Sequence, residues 1–141
     1  MLLYALEELA HRELEVTVAA VEDSPLWRRL PDHVTRLALP NNERFSPAGL
    51  ARQWNVLRKL PAPHVVHGWT ARDWELVTLA CLGNRAIPVG SLHDHPRARF
   101  ITPKRQALMR WMCRIGLRRT LCVSDAVRRA CENYGYPTKK L

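Results

Sequence analysis

Apolar positions along the chain follow two different spacings. Leu2, Leu6 and Leu9 recur every three or four residues, which predicts an amphipathic helix at the start of the chain. Short runs rich in valine, leucine and isoleucine predict five strands, at residues 15–21, 34–40, 64–69, 87–92 and 120–124. Strands that alternate with helices of ten or more residues imply parallel pairing through right-handed crossovers. The pattern therefore predicts one α/β domain.

Capping residues predict where the intervening helices begin. Ser46 and Thr102 are each followed by a proline, and Ser124 follows the fifth strand, so each hydroxyl is placed to cap a helix. Thr70 and Asp73 resemble a capping box before a third helix. Glycines predict the ends of the helices, at Gly83 (with Asn84), Gly116 and Gly135.

Composition limits the class of protein. The chain has 141 residues, 47% of them hydrophobic, which is enough for one domain with a packed core. No apolar run approaches the roughly 20 residues of a membrane span, and Glu7 and Glu8 argue against a signal peptide. The cysteines have no metal-ligand spacing, and Cys81 and Cys122 lie in apolar runs that predict core positions. We expect a reduced, cytoplasmic protein.

The chain is strongly basic, with a formal net charge of +9 to which arginine contributes most. Guanidinium groups favour phosphate and carboxylate, so anionic partners are expected.

The helix predicted to begin after Thr102 has one apolar face, formed by Leu108, Met112 and Ile115. Two interpretations of this helix stay open: a solvated basic face, or a surface that meets anionic lipid. The residues of that second interpretation are Lys104, Arg105, Arg110, Trp111, Arg114 and Arg118.

Three of the predicted strands end in polar or aromatic side chains. They are His67 and Trp69 at the end of the third, His93, Asp94 and His95 directly after the fourth, and Ser124 at the end of the fifth. Ligands bind outside the carboxyl ends of strands in open parallel sheets, so we expect these side chains to converge at one edge.

Other chemistries at this edge have less support. His93, His95 and His67 have the residue type for zinc, but no further carboxylate or cysteine completes the set, and we predict no metal site. A strand-end histidine bonded to a loop carbonyl is the simpler interpretation. Ser124 lacks the GxSxG context of a nucleophile, and neither a Walker motif nor GxGxxG is present.

Several segments together resemble a known family. "HVVHGW", "IPVGSLHDHP" and "TLCVSDAVRRACENYGYPTKK" occur in the order typical of the N-terminal domain of family 4 glycosyltransferases, the retaining GT-B enzymes. "ALEELAHRELEVTVAAV" is similar to their first helix and second strand. The resemblance implies a Rossmann-like parallel sheet with helices on both faces, the N-terminal half of a GT-B fold.

The resemblance also implies roles for the polar tips. His93 and Asp94 would be catalytic, at the cleft near the transferred sugar, while His67, Trp69, Ser124 and His95 would bind substrate. The co-substrate would be a nucleotide sugar, with no separate cofactor, and the acceptor a glycan or lipid. Some members dock on membranes through basic helices, which implies a peripheral location at the inner face of the membrane.

The chain also departs from the family pattern. The first strand and its Gly-rich loop have no counterpart, and residues 1–141 stop before the donor-binding domain, so we expect a domain incomplete at both ends that needs a donor domain in cis or in trans and is inactive alone. Trp69 replaces a histidine that is frequent in the family. The alternative hypothesis is a non-catalytic basic α/β module that binds anionic membrane or, with less support, nucleic acid.

Overall fold

Helices and parallel strands alternate along the chain. The computed structural model describes residues 2–12, 14–42, 46–61, 63, 65–83, 85–96 and 101–141. In order, its elements are α1 (Leu2–Ala10), β1 (Thr17–Val21), α2 (Pro25–Arg29), β2 (Thr35–Leu39), α3 (Pro47–Leu57), β3 (Val65–Gly68), α4 (Trp74–Cys81), β4 (Ile87–Leu92), α5 (Pro103–Trp111), a π-helical turn (Met112–Gly116), β5 (Arg119–Cys122), α6 (Asp125–Asn133) and a 3-10 turn (Thr138–Lys140).

The chain divides into two compact units, residues 1–56 and 57–141. In the first unit, β1 and β2 form a two-stranded parallel sheet. Leu6, Leu30 and Val34 are buried together in its core, because the apolar face of α1 packs on the residues around the strands. The first unit therefore has a small hydrophobic core of its own.

The second unit contains a three-stranded parallel sheet in the order β3-β4-β5, with β4 in the centre. The register pairs His67 with Val89 and Gly90 with Thr120. One hydrophobic core fills this unit, formed by Trp74, Val77, Leu92, Met109, Met112, Cys113, Leu117, Cys131 and Tyr136. Because the three strands are parallel, their carboxyl ends lie at the same edge of the sheet.

Gly90 lets α4 approach the central strand closely. A Cβ at this position would lie 2.5 Å from Nε1 of Trp74 and 2.7 Å from Cδ1 of Leu117. Trp74 and Leu117 are each only 1% exposed, so neither side chain has room to withdraw. The missing side chain therefore sets the distance between the helix layer and the strand that leads to His93.

The α/β arrangement with parallel strands is confirmed. All five predicted strands are present, and their bounds agree with the prediction to within two residues. The strands form two sheets, and the start of the third predicted strand, at His64, lies outside the described residues. Ser46, Thr102 and Ser124 cap their helices as predicted, by accepting from the N–H groups of Gly49, Arg105 and Val127.

The predicted capping box is only half formed. The Asp73 carboxylate accepts from the Thr70 N–H at 2.8 Å, but the Thr70 hydroxyl accepts from Arg72 instead of Asp73. The helix begins after this turn, at Trp74. Gly83 has φ of 80°, which fits the predicted helix end, whereas Asn84 lies outside the described residues.

The predicted apolar face of α5 was wrong. Met112 is buried, but Leu108 and Ile115 are 37% and 63% exposed. The reason is the π-helical turn, in which the Leu117 N–H donates to the Met112 carbonyl, five residues earlier, at 2.9 Å. Within this wider turn Met112 and Cys113 are buried and Ile115 is exposed, and in α5 before it Met109 is buried instead of Leu108.

The cysteine prediction was also wrong in part. Cys113 and Cys131 are fully buried, whereas Cys81 and Cys122, which were expected in the core, are only half-buried. Alternation along β5 and the position of Cys81 in the last turn of α4 account for the difference. All four thiols are free.

Candidate functional site

Two neighbouring strands bring a histidine and a serine together near the carboxyl edge of the second sheet. Nε2 of His67, on β3, lies 2.7 Å from Oγ of Ser91, on β4. Ser91 is 4% exposed, so its hydroxyl is held in place by the protein around it. This contact fixes the orientation of the His67 ring.

Three aromatic rings form a continuous row at the same edge. The ring centroids of His67 and Trp69 are 5.5 Å apart, and those of Trp69 and His93 are 5.1 Å apart. Such tilted contacts are typical of favourable aromatic pairs. Trp69 thus connects His67, near the end of β3, to His93, which follows β4.

His93 carries an unsatisfied polar atom. Its Nε2 is buried, and no residue in the described part of the chain forms a hydrogen bond with it. A buried imidazole nitrogen without a partner costs free energy, and such an atom at a sheet edge suits a group that binds from outside. His93 is thus the residue of this cluster with free hydrogen-bonding capacity.

The surroundings of His67 favour its neutral form. Loss of hydration is the main cause that lowers the pKa of His67 below 6.5, and repulsion from His93 lowers it further. The carboxylate of Asp73 has the opposite effect and is the weaker influence. At neutral pH the ring is uncharged and serves as a hydrogen-bond donor or acceptor.

Ser124 lies at the same sheet edge, two residues after the end of β5. Its hydroxyl accepts from the Val127 N–H at 3.3 Å and caps α6. The preceding residue, Val123, donates its N–H to the Leu92 carbonyl at 3.2 Å, which holds the two strand ends together. The structure therefore places Ser124 beside the end of β4, with its hydroxyl engaged in capping.

Asp94 and His95 continue the loop after β4. Both are exposed, and His95 contacts Tyr134 edge-to-face with centroids 5.7 Å apart. Pro96 is fully buried and ends the described part of this loop, because residues 97–100 lie outside it. The two histidines of this loop thus have different neighbours: His93 contacts Trp69, and His95 contacts α6.

The basic residues of α5, of the π-helical turn and of the residues just after it differ in their contacts: some bond to other parts of the unit, and others are exposed to solvent. Arg105 forms an ion pair with Glu75 through both guanidinium nitrogens and also donates to the Ala71 carbonyl, so its charge is held against α4. Arg110 and Arg114 donate to the carbonyls of Tyr134 and Gly135, at 3.2 and 3.4 Å, while remaining exposed. Lys104 and Arg118 are exposed as well.

Beside these cations runs an apolar stripe, which we define as Leu108, Trp111 and Ile115. These side chains are 37%, 55% and 63% exposed, at consecutive turns of α5 and the π-helical turn. Three large apolar residues in one row are unusual for a surface in contact with water alone.

The described residues give little support for a metal site, a reactive thiol or a membrane-spanning helix. Within the described residues, no group of three histidine, cysteine or acidic side chains could hold a metal ion. Burial raises the pKa of the Cys131 thiol to about 12, and it raises the pKa of Cys113 too, so both stay protonated. In the described part of the chain, no helix is both long enough and apolar enough to cross a membrane.

Comparison with known proteins agrees with this architecture. The model of Glycosyltransferase Family 4 matches residues 1–141, and the chain belongs to that family. No curated protein and no solved structure matches the chain. The parallel α/β fold is that of a Rossmann-like half of a GT-B enzyme.

Sequence reasoning missed two features of this edge. Ser91 lies inside β4 and becomes visible as a partner of His67 only through the strand register. Arg129, Asn133 and the C-cap residue Tyr134 lie in a segment that resembles the family, but no role was predicted for them, and only the fold brings them next to His95.

Proposed function

We propose that this chain is the acceptor-side domain of an enzyme that transfers a sugar from a nucleotide-sugar donor to a glycan or lipid acceptor. Membership of Glycosyltransferase Family 4 supports glycosyl transfer as the general activity. In this proposal the donor-binding half is supplied in cis or in trans. The nucleotide sugar is the co-substrate, and the reaction uses no further cofactor.

The observation that carries this proposal is the buried, unpartnered Nε2 of His93 at the end of the row formed with Trp69 and His67. A hydroxyl of the transferred sugar would supply the missing hydrogen bond. An aromatic ring such as Trp69 suits the apolar face of a pyranose, since sugars present one face of C–H groups. Asp94, which is exposed, shapes the loop that carries His93.

Catalysis needs this hydrogen bond to be stronger in the transition state than with bound substrate. In this proposal His93 supplies a fixed donor to the charge that develops between the sugar and its departing phosphate. His67, kept neutral and bonded to Ser91, holds Trp69 in position without adding a charge. In this scheme His93 acts on the substrate and His67 is a positioning residue.

Binding to the isolated chain tests the acceptor half of the proposal. Simple glycosides are titrated into isotopically labelled protein, and the Trp69 indole and His93 ring signals are followed by NMR. We expect both to shift, and we expect His93→Ala to weaken binding while His33→Ala, an exposed histidine in the other unit, leaves it unchanged. Absence of any shift at Trp69 and His93 would count against the proposal.

Sugar transfer tests the catalytic half. The chain is joined after Leu141 to the donor-binding domain of a family 4 enzyme, and release of nucleoside diphosphate is measured with several nucleotide sugars. In the active fusion His93→Ala should lower kcat by about 100-fold, as loss of one fixed donor does. An active fusion with an unchanged kcat in that variant would rule out the role of His93.

A second function is favoured by the apolar stripe of Leu108, Trp111 and Ile115. Lys104, Arg110 and Arg114 carry exposed positive charge on the same helical segment. Apolar side chains beside basic ones suit the boundary between acyl chains and anionic headgroups. This arrangement supports peripheral docking on an anionic membrane, which would bring a lipid acceptor to the domain, and it gives less support to nucleic acid.

Vesicle co-sedimentation tests the docking surface. We expect binding to vesicles with anionic phosphatidylglycerol that falls as salt rises, and little binding to neutral phosphatidylcholine. The double variant Trp111→Ala/Ile115→Ala should lose binding, whereas Leu82→Ala, which removes an apolar side chain that is 66% exposed elsewhere, should keep it. Equal binding to both vesicle types would contradict this function.

A further inference from the structure

An open pocket lies between the loop after β4 and the outer face of α6. Its volume is about 530 Å³, within the range of about 300–1,000 Å³ that is common for small-molecule sites. The loop contributes His95, and α6 with its C-cap contributes the rest of the lining, namely Ala126, Arg129, Ala130, Asn133 and Tyr134. Of the residues that the family resemblance implies for substrate binding, only His95 lines this pocket, and none of His67, Trp69 and His93 does.

The charge in the pocket comes from Arg129. Its neighbour Arg128 is neutralised by Asp125 and Glu132, at 3.3 and 2.8 Å. Arg129 forms no ion pair with any acidic residue in the described ranges, and it is exposed. Two adjacent arginines thus differ: one stabilises the helix, and the other offers its guanidinium to an anion. Planar, bidentate recognition makes phosphate and carboxylate the preferred anions.

The remaining lining suits a sugar ring. Ala126 and Ala130 have small side chains and leave a shallow apolar floor, one helical turn apart. Tyr134 and His95, in edge-to-face contact, form an aromatic wall. Asn133, which is exposed, brings an amide that both donates and accepts hydrogen bonds, as sugar hydroxyls require.

The pocket is connected by the chain to the candidate site. His95 is two residues after His93, so the pocket and the candidate site share one short stretch of chain that leads to the buried Pro96. A group held at Arg129 would therefore lie beside the edge where His93 and Trp69 are found. We propose that this pocket is an acceptor subsite for a saccharide that carries a phosphate or a carboxylate, an inference that rests on the proposed acceptor function.

Four probes separate the possible sources of binding: glucose 1-phosphate, glucuronic acid, methyl glucoside and inorganic phosphate. NMR titrations of the labelled chain follow the side-chain signals of Arg129 and Asn133. We expect the two charged sugars to bind about tenfold more tightly than either the neutral sugar or phosphate alone, since a hydrogen bond to a charged group is stronger than one between neutral groups. The tighter of the two charged sugars identifies the anion.

Three variants test the assignment. Arg129→Gln should weaken the charged sugars about tenfold, while Arg85→Gln, which removes one exposed charge elsewhere, should not. Ala126→Trp should block the pocket without changing its charge, and Ala126 is exposed, so the fold should tolerate it. Equal losses in the two arginine variants, phosphate binding as tight as that of glucose 1-phosphate, or full binding by Ala126→Trp would each overturn the inference.

The same spectra distinguish this inference from the proposed function. Shifts at Trp69 and His93 without shifts at Arg129 and Asn133 overturn the subsite alone. If none of the four residues shows a shift, both proposals are overturned.

Discussion

His67 and Ser91 are joined by a 2.7 Å contact between side chains that are 24 residues apart in the chain. The contact crosses from an edge strand to the central strand of the second sheet, near the carboxyl edge. Because Ser91 is buried, its hydroxyl has few alternative partners, and the His67 ring is oriented toward it. The position of Trp69, and through it the approach to His93, depends on this oriented ring.

The first prediction concerns the titration of His67. Its pKa should lie below 6.5, and His93→Gln should raise it because repulsion from His93 is removed. Asp73→Asn should lower it, because Asp73 favours the charged form. NMR titration of the histidine ring signals measures all three values, and a pKa above 6.5 in the unaltered chain would contradict the prediction.

The lowered pKa also gives a sign for stability. Above pH 6.5 His67 is neutral in both the folded and the unfolded chain; below it the unfolded chain binds the proton first, so the free energy of unfolding falls. His67→Gln should therefore lose less stability than the unaltered chain between about pH 7.5 and about pH 5.5. Urea unfolding at the two pH values checks this, and identical losses would refute it.

A second prediction follows from the close packing at Gly90. Gly90→Ala should destabilise the second unit by about 1–3 kcal/mol, because the new methyl group meets Trp74 and Leu117 in a core without free space. Urea unfolding measures the loss. As a control, Ala107→Gly changes a side chain of similar size at an exposed position of α5, and should cost no more than about 1 kcal/mol.

A third prediction concerns the ion pair of Arg105 and Glu75. The side chains are 27% and 22% exposed and the pair is bidentate, so a double-mutant cycle with Gln at both positions should give a coupling energy of about 1 kcal/mol. The matched control is Arg36 with Asp32, whose carboxylate is fully exposed. That pair should couple by no more than about 0.5 kcal/mol. Equal coupling in the two cycles would show that partial burial has no effect.

A fourth prediction separates capping from binding at Ser124. Ser124→Ala should cost about 1 kcal/mol of stability, because the Val127 N–H loses its acceptor, and Ser124→Thr should restore most of it. Thermal unfolding of the three proteins provides the measurement. A threonine variant as unstable as the alanine variant would argue against the cap.

Most of the fold was predictable because it depends on local signals. β4 has the predicted bounds, Ile87–Leu92, since the run that ends at Leu92 is followed at once by the polar residues His93, Asp94 and His95. The caps at Thr102 and Ser124 were predictable because a hydroxyl just before a helix accepts a hydrogen bond from a free N–H in its first turn.

What the sequence did not predict depends on three-dimensional register. The π-helical turn after Trp111 has no pattern that distinguishes it from an α-helix, so the side of Ile115 was assigned wrongly. The pairing of Arg105 with Glu75 joins residues 30 apart, and a basic run by itself cannot show which charge is engaged. The convergence of His67 with His93 was predictable from parallel strands, but the linking role of Ser91 was not.

The π-helical turn at Met112–Gly116 also links inside and outside. It holds one residue more than an α-helical turn would, and this extra residue both seats Leu117 in the core and leaves Ile115 in solvent. Deleting one residue from this turn would rotate Leu117 and Ile115 together about the helix axis. A change in the length of the turn therefore cannot alter the packing of Leu117 without also altering the exposure of Ile115. The exposed surface at Ile115 can therefore be changed by substitution of side chains, but not by insertion or deletion in the turn.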